Sequence, residues 1–219
     1  MVENKYTCLR NKTEREKILQ SIFDMYPHKT IELDFETPFQ LLIAVMLSAQ
    51  MTDKWVNKAT ESLFAKVKTP SDLLKIEPEK VESMLHSLNY YRVKTRHIFR
   101  TAGKLLSDYN GTIPNTLKEI QTLPWVGIKT AKVVLSHLYD MPLIGVDTHI
   151  HRVMNRMGIV KTKTPEETDK KLEKILTDEQ KRTMHHAIVL FGRYVCTAKK
   201  CHCAHTSLAP WCQCEKCIH

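Results

Sequence analysis

The sequence predicts an all-α fold, and three observations support that prediction. Apolar residues recur along the chain at a spacing near 3.6, the period of an amphipathic helix. No segment shows the alternation of apolar and polar residues that is typical of a half-buried strand. The 219 residues include six glycines and nine prolines, so few positions interrupt a helix, and the 42% hydrophobic content suffices for one domain or two small ones.

Helix start signals place the elements of the N-terminal half. The segment from Lys12 to Met25 carries its apolar residues on one face, and Thr37-Pro38 opens a helix that is apolar on every side over residues 41–47. A helix of that kind is expected at the centre of a core. Asn110-Gly111 provides a clean helix end. Further helices are predicted from Thr52 through Val67, from Ser71, from Pro78 and from Arg92 to Tyr109.

The C-terminal half contains a helical hairpin. Leu123-Pro124-Trp125-Val126-Gly127 is a tight, proline-led turn between two helical stretches, with Lys129 in the first turn of the second stretch. The helices predicted here cover Thr116 to Thr122, Gly127 to Tyr139, Asp147 to Met157, Pro165 to Leu176 and Arg182 to Tyr194.

Charge and hydropathy limit the classes of function. Lysine and arginine total 33 against 24 acidic residues, and the net charge of +9 with a pI near 9.2 suits a polyanionic partner. No apolar stretch approaches the roughly 20 residues that span a bilayer, and the polar start is unlike a signal peptide. We therefore expect a cytoplasmic protein with no membrane partner.

Lys129 and Asp147 are the candidate catalytic residues. Backbone N–H groups at a helix start carry partial positive charge, so that position disfavours an ammonium and favours the neutral, nucleophilic amine of Lys129. Asp147 stands where the N-cap of the following helix is expected, accepting N–H bonds. By position alone, a solvated surface lysine and a simple helix cap are the commoner explanations of these two residues.

Six of the seven cysteines lie between Cys196 and Cys217, which leaves only Cys8 outside this segment. A disulfide framework would be spread more evenly along the chain, so the pattern predicts a thiol-rich metal loop in a reduced protein. Clustered cysteine and histidine suit tetrahedral zinc, and thiolates alone suit an iron–sulfur cluster.

The run from Leu123 to Arg156 resembles the active site of the endonuclease III family of helix-hairpin-helix DNA glycosylases. Matching motifs include Leu47 to Asp53 and Gly192 to Cys196, and the resemblance extends from about Ile18 to Cys212. It implies two all-helical lobes with DNA in the cleft between them, in a monomer. One lobe is a six-helix barrel with the hairpin, over 31–141; the other joins 1–30 with 142–219 and carries the cysteine loop.

The resemblance also implies the chemistry. Lys129 would attack C1′ of a damaged pyrimidine nucleotide flipped out of double-stranded DNA, while Asp147 supports charge that builds on the sugar. The resulting Schiff base would eliminate the 3′ phosphate, so a single lysine would serve a bifunctional glycosylase and abasic-site lyase in base excision repair. Two alternatives are a glycosylase for thymine or uracil opposite guanine, suggested by Tyr90-Tyr91, and a non-catalytic DNA-binding protein.

The expected DNA contacts follow from the same resemblance. Gln50 matches the residue that enters the gap left by the flipped base, and Tyr90 matches a wedge that is normally leucine. Trp125, Val126 and Gly127 form the phosphate-binding hairpin, in which the position of Trp125 is normally glycine. A tryptophan at positive φ would cost roughly 1 kcal/mol or more. Apart from the resemblance, Lys199 and Lys200 in the cysteine loop are expected to contact phosphates, with a plain solvated basic loop as the alternative.

The family carries a [4Fe-4S] cluster on four cysteines, and this chain keeps three of the four positions, Cys196, Cys203 and Cys212. The remaining position is Thr206, which is not a credible ligand. The fourth thiolate is expected from Cys201, Cys214 or Cys217, with His205 a weaker candidate and zinc the alternative metal. The role expected for either metal is to hold the loop in shape.

Overall fold

The computed structural model describes residues 9–27 and 31–214, and its regular elements in these ranges are eleven α-helices and two short 3-10 helices. The prediction of an all-α fold is confirmed. The helices are α1 (Lys12–Met25), α2 (Pro38–Leu47), α3 (Asp53–Phe64), α4 (Pro70–Leu74), α5 (Pro78–Leu85), α6 (Tyr91–Tyr109), α7 (Leu117–Ile120), α8 (Ile128–Tyr139), α9 (Thr148–Arg156), α10 (Pro165–Ile175) and α11 (Asp178–Tyr194). The 3-10 helices are Cys203–His205 and Ala209–Trp211.

The chain divides into two compact units, one over residues 31–141 and one that joins residues 1–30 with 142–219. In the first unit, α2 is buried from Phe39 to Leu47 and packs against α3, α6 and α8. Helices α4 and α5 pack on α6, while α7 packs on α8. The expectation of a central helix apolar on every side is correct.

A buried amide fixes the start of α2. Gln40 is 1% exposed, and its Nε2 donates to the carbonyls of Phe64 at 2.9 Å and Val67 at 2.8 Å. Its Oε1 accepts from the N–H of Glu36 at 2.6 Å. Because Gln40 satisfies these carbonyls, α3 can end at Phe64, three residues before the predicted end at Val67.

The second unit is built from α1, α9, α10 and α11. Helix α11 packs against both α1 and α9, and α10 covers α9. The apolar core of this second unit includes Ile18, Ile22, Ile150, Val153, Leu172 and Phe191, all fully buried. Helix α11 begins at Asp178 rather than at the predicted Arg182, since Thr177 and Gln180 form a capping box there. In the described part of the chain, no helix is long and apolar enough to cross a membrane.

Candidate functional site

The hairpin between α7 and α8 presents an open helix start. Gly127 is the N-cap of α8, with φ −78°, and a Cβ added there would meet no atom within 4 Å. Neither the backbone conformation nor packing inside the chain therefore requires glycine, and its absent side chain leaves room for an approaching group. The N–H groups of a first helical turn lack intrahelical partners, so they can bind an anion.

Lys129 is the second residue of α8 and is exposed. Val126, two residues before α8, is 5% exposed, and its N–H donates to the carbonyl of Leu123 at 3.2 Å. Val126 thus closes the turn and packs inward, whereas Gly127 and Lys129 face solvent.

Trp125 adopts the left-handed conformation, with φ 63°. Its side chain is 44% exposed, and its ring centroid lies 4.1 Å from that of His97 on α6, with an interplanar angle of 62°. Thr101, one turn further along α6, donates its hydroxyl to the carbonyl of Pro124 at 3.0 Å. Burial, followed by the charges of Arg100 and Arg96, lowers the pKa of His97.

Gln50 and Tyr90 adopt the same left-handed backbone conformation as Trp125. Their φ angles are 58° and 57°, and both side chains are exposed. Tyr90 is the N-cap of α6, and Gln50 lies three residues beyond the end of α2. Left-handed non-glycine residues are strained and concentrate at functional sites. Three residues predicted to contact DNA therefore share one form of strain, within the same unit.

Asp147 lies in the other unit as the N-cap of α9. Its Oδ1 accepts from the N–H of Ile150 at 2.9 Å, and the residue is half-buried. Burial lowers the pKa of the adjacent His149, and the nearby Asp147 carboxylate only partly opposes that shift. The predicted N-cap is present at Asp147, which presents a carboxylate at a helix start.

Helix α9 is held closely against α11. A Cβ on Gly192 would lie 2.9 Å from the Cβ of His149 and 3.3 Å from Cγ2 of Val153, so the contact requires glycine. Arg152 donates from Nη2 to the carbonyl of Gly192 at 2.7 Å and from Nε to the carbonyl of Cys196 at 2.9 Å. The helix that carries Asp147 is thereby bonded to the start of the cysteine loop.

Four cysteine sulfurs converge in that loop. The Sγ atoms of Cys196, Cys201 and Cys203 lie within 4.8 Å of one another, and the Sγ atoms of Cys201 and Cys212 are 3.8 Å apart. Cys201 is disulfide-bonded, whereas Cys196, Cys203, Cys212 and the buried Cys214 are free. Cys217 lies outside the described residues.

Thr206 occupies the position where the family has a cysteine. Its Oγ1 donates to the carbonyl of Cys203 at 2.8 Å and accepts from the N–H of Leu208 at 3.2 Å. The hydroxyl therefore closes a turn. Lys199 and Lys200 are exposed, and the N–H of Lys200 donates to Oγ1 of Thr197.

The thiolate form of Cys196 is favoured by its surroundings. A hydrogen bond from the thiol of Cys203 and another from Nη1 of Arg156, 3.5 Å from its Sγ, lower the pKa of Cys196 to about 6. Arg156 also donates to the carbonyl of Thr197 at 2.7 Å. A thiolate at this position can act as a metal ligand. The sequence pattern gave no role to Arg152 or Arg156, although their spacing of four residues places them on one face of α9.

Comparisons with known proteins decide the family. Residues 43–178 match the model of the HhH-GPD superfamily base excision DNA repair protein. Endonuclease III of Escherichia coli (strain K12) is 41% identical over 203 residues, which cover 93% of this chain and 96% of that protein. The chain belongs to the endonuclease III family. Endonuclease III of Bacillus subtilis (strain 168) is 39% identical over 204 residues, with 93% of each chain covered.

Solved structures show the same fold. A trapped endonuclease III–DNA covalent intermediate matches with a TM-score of 0.89 and 39% identity, covering 94% of this chain and 97% of that one. A thermostable thymine-DNA glycosylase matches with a TM-score of 0.80 at 21% identity, a likeness that shows the fold alone. The predicted endonuclease III family and helix-hairpin-helix glycosylase fold are confirmed.

We predict that the left-handed backbone at Trp125 destabilises this chain relative to a glycine-containing hairpin. Trp125→Gly and Trp125→Ala both lose the ring contact with His97, so the difference between them isolates the backbone term. The glycine variant should be more stable than the alanine variant by about 1 kcal/mol in free energy of unfolding. Urea denaturation measures this difference, and equal stability of the two variants would refute the backbone argument.

Proposed function

We propose that Lys129 is the nucleophile and Asp147 the supporting carboxylate of this endonuclease III family member. The chain is a bifunctional DNA glycosylase and abasic-site lyase that excises oxidised pyrimidines from double-stranded DNA in base excision repair. The observation that carries the residue assignment is the exposed Lys129 at an open helix start, directly after the hairpin. Its double-stranded substrate implies a cytoplasmic, nucleoid-associated location, and we propose that it acts as a monomer.

The reaction begins at the amine of Lys129. Its nitrogen forms a bond to C1′ of the flipped nucleotide as the glycosidic bond breaks, and the base leaves with the bonding electrons and gains a proton. Opening of the sugar ring gives a Schiff base. Loss of a proton from C2′ then drives cleavage of the C3′–O bond, and water finally releases the lysine. The Asp147 carboxylate favours positive charge on the sugar as the base departs.

The hairpin supplies the phosphate contact. N–H groups at the start of α8 suit a DNA phosphate, because the helix dipole favours an anion there and a contact of this kind is independent of base sequence. Trp125, Val126 and Gly127 shape this contact, although the N–H of Val126 already donates to Leu123. Exposed Lys199 and Lys200 add phosphate contacts from the cysteine loop.

Base flipping requires that the vacated space in the duplex be filled, since unstacking costs a few kcal/mol. Gln50 and Tyr90 are exposed on strained turns and are the proposed fillers. Gln50 would enter the gap left by the flipped base. Tyr90, which is 67% exposed, would act as the wedge between neighbouring bases.

We expect Lys129→Gln to lower strand scission by more than about 1000-fold, because no other group replaces the attacking amine. Binding to abasic duplex should change little, since the phosphate contacts persist. The measurement is borohydride trapping and nicking of duplex with an oxidised thymine. Lys118→Gln is the matched control, because Lys118 is also exposed and lies on α7.

Three outcomes would overturn this assignment. Retained scission in Lys129→Gln would remove Lys129 from the chemistry. Base release from thymine–guanine mismatches, without an adduct on the oxidised substrate, would favour the alternative mismatch-specific glycosylase. Tight duplex binding without base release or scission on either substrate would favour a non-catalytic DNA-binding protein.

The cysteine loop is the proposed site of a [4Fe-4S] cluster, with zinc the alternative. An all-thiolate set fits such a cluster, and the sulfurs of Cys196, Cys201, Cys203 and Cys212 converge. Cys201 would therefore be the fourth ligand in place of Thr206. Its disulfide must first take up two electrons and two protons from a dithiol to give free thiols. When bound, the cluster would fix the shape of the loop.

Metal content distinguishes the candidate ligands. Protein prepared anaerobically with dithiothreitol should contain about four iron atoms and four sulfides per chain, with charge-transfer colour. Cys201→Ser should lose most of this iron, while Cys214→Ser, which removes a buried cysteine outside the close group, should retain it. Loss in Cys214→Ser or Cys217→Ser but not in Cys201→Ser would contradict the ligand set. Stoichiometric zinc without sulfide would contradict the cluster.

A further inference from the structure

Lys94 is a buried lysine in the first turn of α6. The residue is 3% exposed, and its Nζ donates to the carbonyl of Leu47 at 2.8 Å and to that of Ala49 at 2.9 Å. Burial lowers the pKa of Lys94. An amine buried in an apolar core is costly unless it is hydrogen-bonded, so these two bonds are central to its presence there.

The two carbonyls lie at the end of α2 and in the turn that follows. Leu47 is the last residue of α2, and Ala49 directly precedes Gln50. Carbonyls at a helix C-terminus lack intrahelical donors, and a positive charge there interacts favourably with the helix dipole. The turn also contains the bond from the N–H of Met51 to the carbonyl of Ser48, at 3.0 Å. Lys94 thus holds the carbonyl groups of both residues that flank Ser48.

The turn has no glycine to relax its backbone. Gln50 is exposed and holds φ 58°, a conformation that a non-glycine residue keeps only when its surroundings enforce it. The bond from Lys94 to the neighbouring carbonyl of Ala49 is a direct constraint of this kind.

The same face of α6 supports the hairpin. His97 and Thr101 stand three and seven residues after Lys94, so the three side chains share one face. His97 contacts the ring of Trp125, and Thr101 donates to the carbonyl of Pro124. Tyr90 is itself the N-cap of α6. One face of α6 therefore contacts the turns that contain Gln50 and Trp125, and Tyr90 lies at the start of the same helix.

We propose that Lys94 is a positioning residue that fixes the turn presenting Gln50 to the gap in the duplex, without touching DNA itself. This inference rests on the proposed function. In the absence of the two bonds, the carbonyls of Leu47 and Ala49 would turn towards other donors and Gln50 would leave its left-handed conformation. Gap filling would then weaken while the chemistry at Lys129 persisted.

The test compares duplex and single-stranded abasic DNA, because only a duplex has a gap to fill. Lys94→Met removes the donors but keeps the length of the side chain. It should lower single-turnover scission of duplex between about 10- and 100-fold, with little change on the single strand. Lys94→Arg, which keeps a cation with donors, should lie between wild type and Lys94→Met. Lys104→Met is the control, since Lys104 lies on the same helix and pairs with Asp108 at the surface.

A double variant tests whether Lys94 and Gln50 affect duplex scission through the same mechanism. If Lys94 acts through Gln50, Lys94→Met combined with Gln50→Ala should lose no more duplex activity than Gln50→Ala alone. Equal losses on duplex and single strand, multiplying losses in the double variant, or no loss at all would overturn the proposal. If Lys94→Met fails to fold, the ratio of duplex to single-strand scission in Lys94→Arg tests the proposal instead. A borohydride adduct of wild type on single-stranded abasic DNA tests the proposed function separately.

Discussion

The hydrogen bonds and ring contact made by one face of α6 are the constraint on which the proposed DNA-contacting surface of residues 31–141 depends. Gln50, Tyr90 and Trp125 all hold left-handed backbones that their residue types disfavour. Such conformations persist only where neighbouring groups fix them. Lys94 bonds the turn before Gln50, and His97 contacts Trp125. Because α6 is long and well packed, its contacts hold the three exposed turns in place. These turns are thus preorganised, as distortion of a duplex requires.

The unit formed by residues 1–30 and 142–219 has its own organising helix. Asp147 caps the start of α9, and two arginines on that helix bind the backbone of the cysteine loop. Arg156 also donates to the sulfur of Cys196. A cluster that fixed the shape of the cysteine loop would therefore also fix the groups in that loop to which the two arginines of α9 donate. We propose that a metal bound there would act on structure and on the placement of a carboxylate, while Lys129 and Asp147 would carry out the reaction.

Much of the fold is predictable from local patterns, because apolar periodicity and capping residues act over a few positions. The central helix α2, the hairpin turn and the N-cap at Asp147 are all visible in the sequence. The earlier start of α11 was also predictable, since Thr177 and Gln180 form a capping box. The burial of Lys94 was not, because its partners lie 47 and 45 residues away. Convergence of Cys201 with Cys212 is likewise a property of the folded loop, which cysteine spacing alone left open among three candidates.

We propose that the amine of Lys129 forms the covalent bond to DNA. Borohydride-reduced complexes of the wild-type protein with abasic duplex can be digested with nuclease and protease, and the modified peptide identified by mass spectrometry. We predict one reduced sugar adduct, carried by the Nζ of Lys129. An adduct on another lysine or on the chain's N-terminal amine, with Lys129 unmodified, would contradict it.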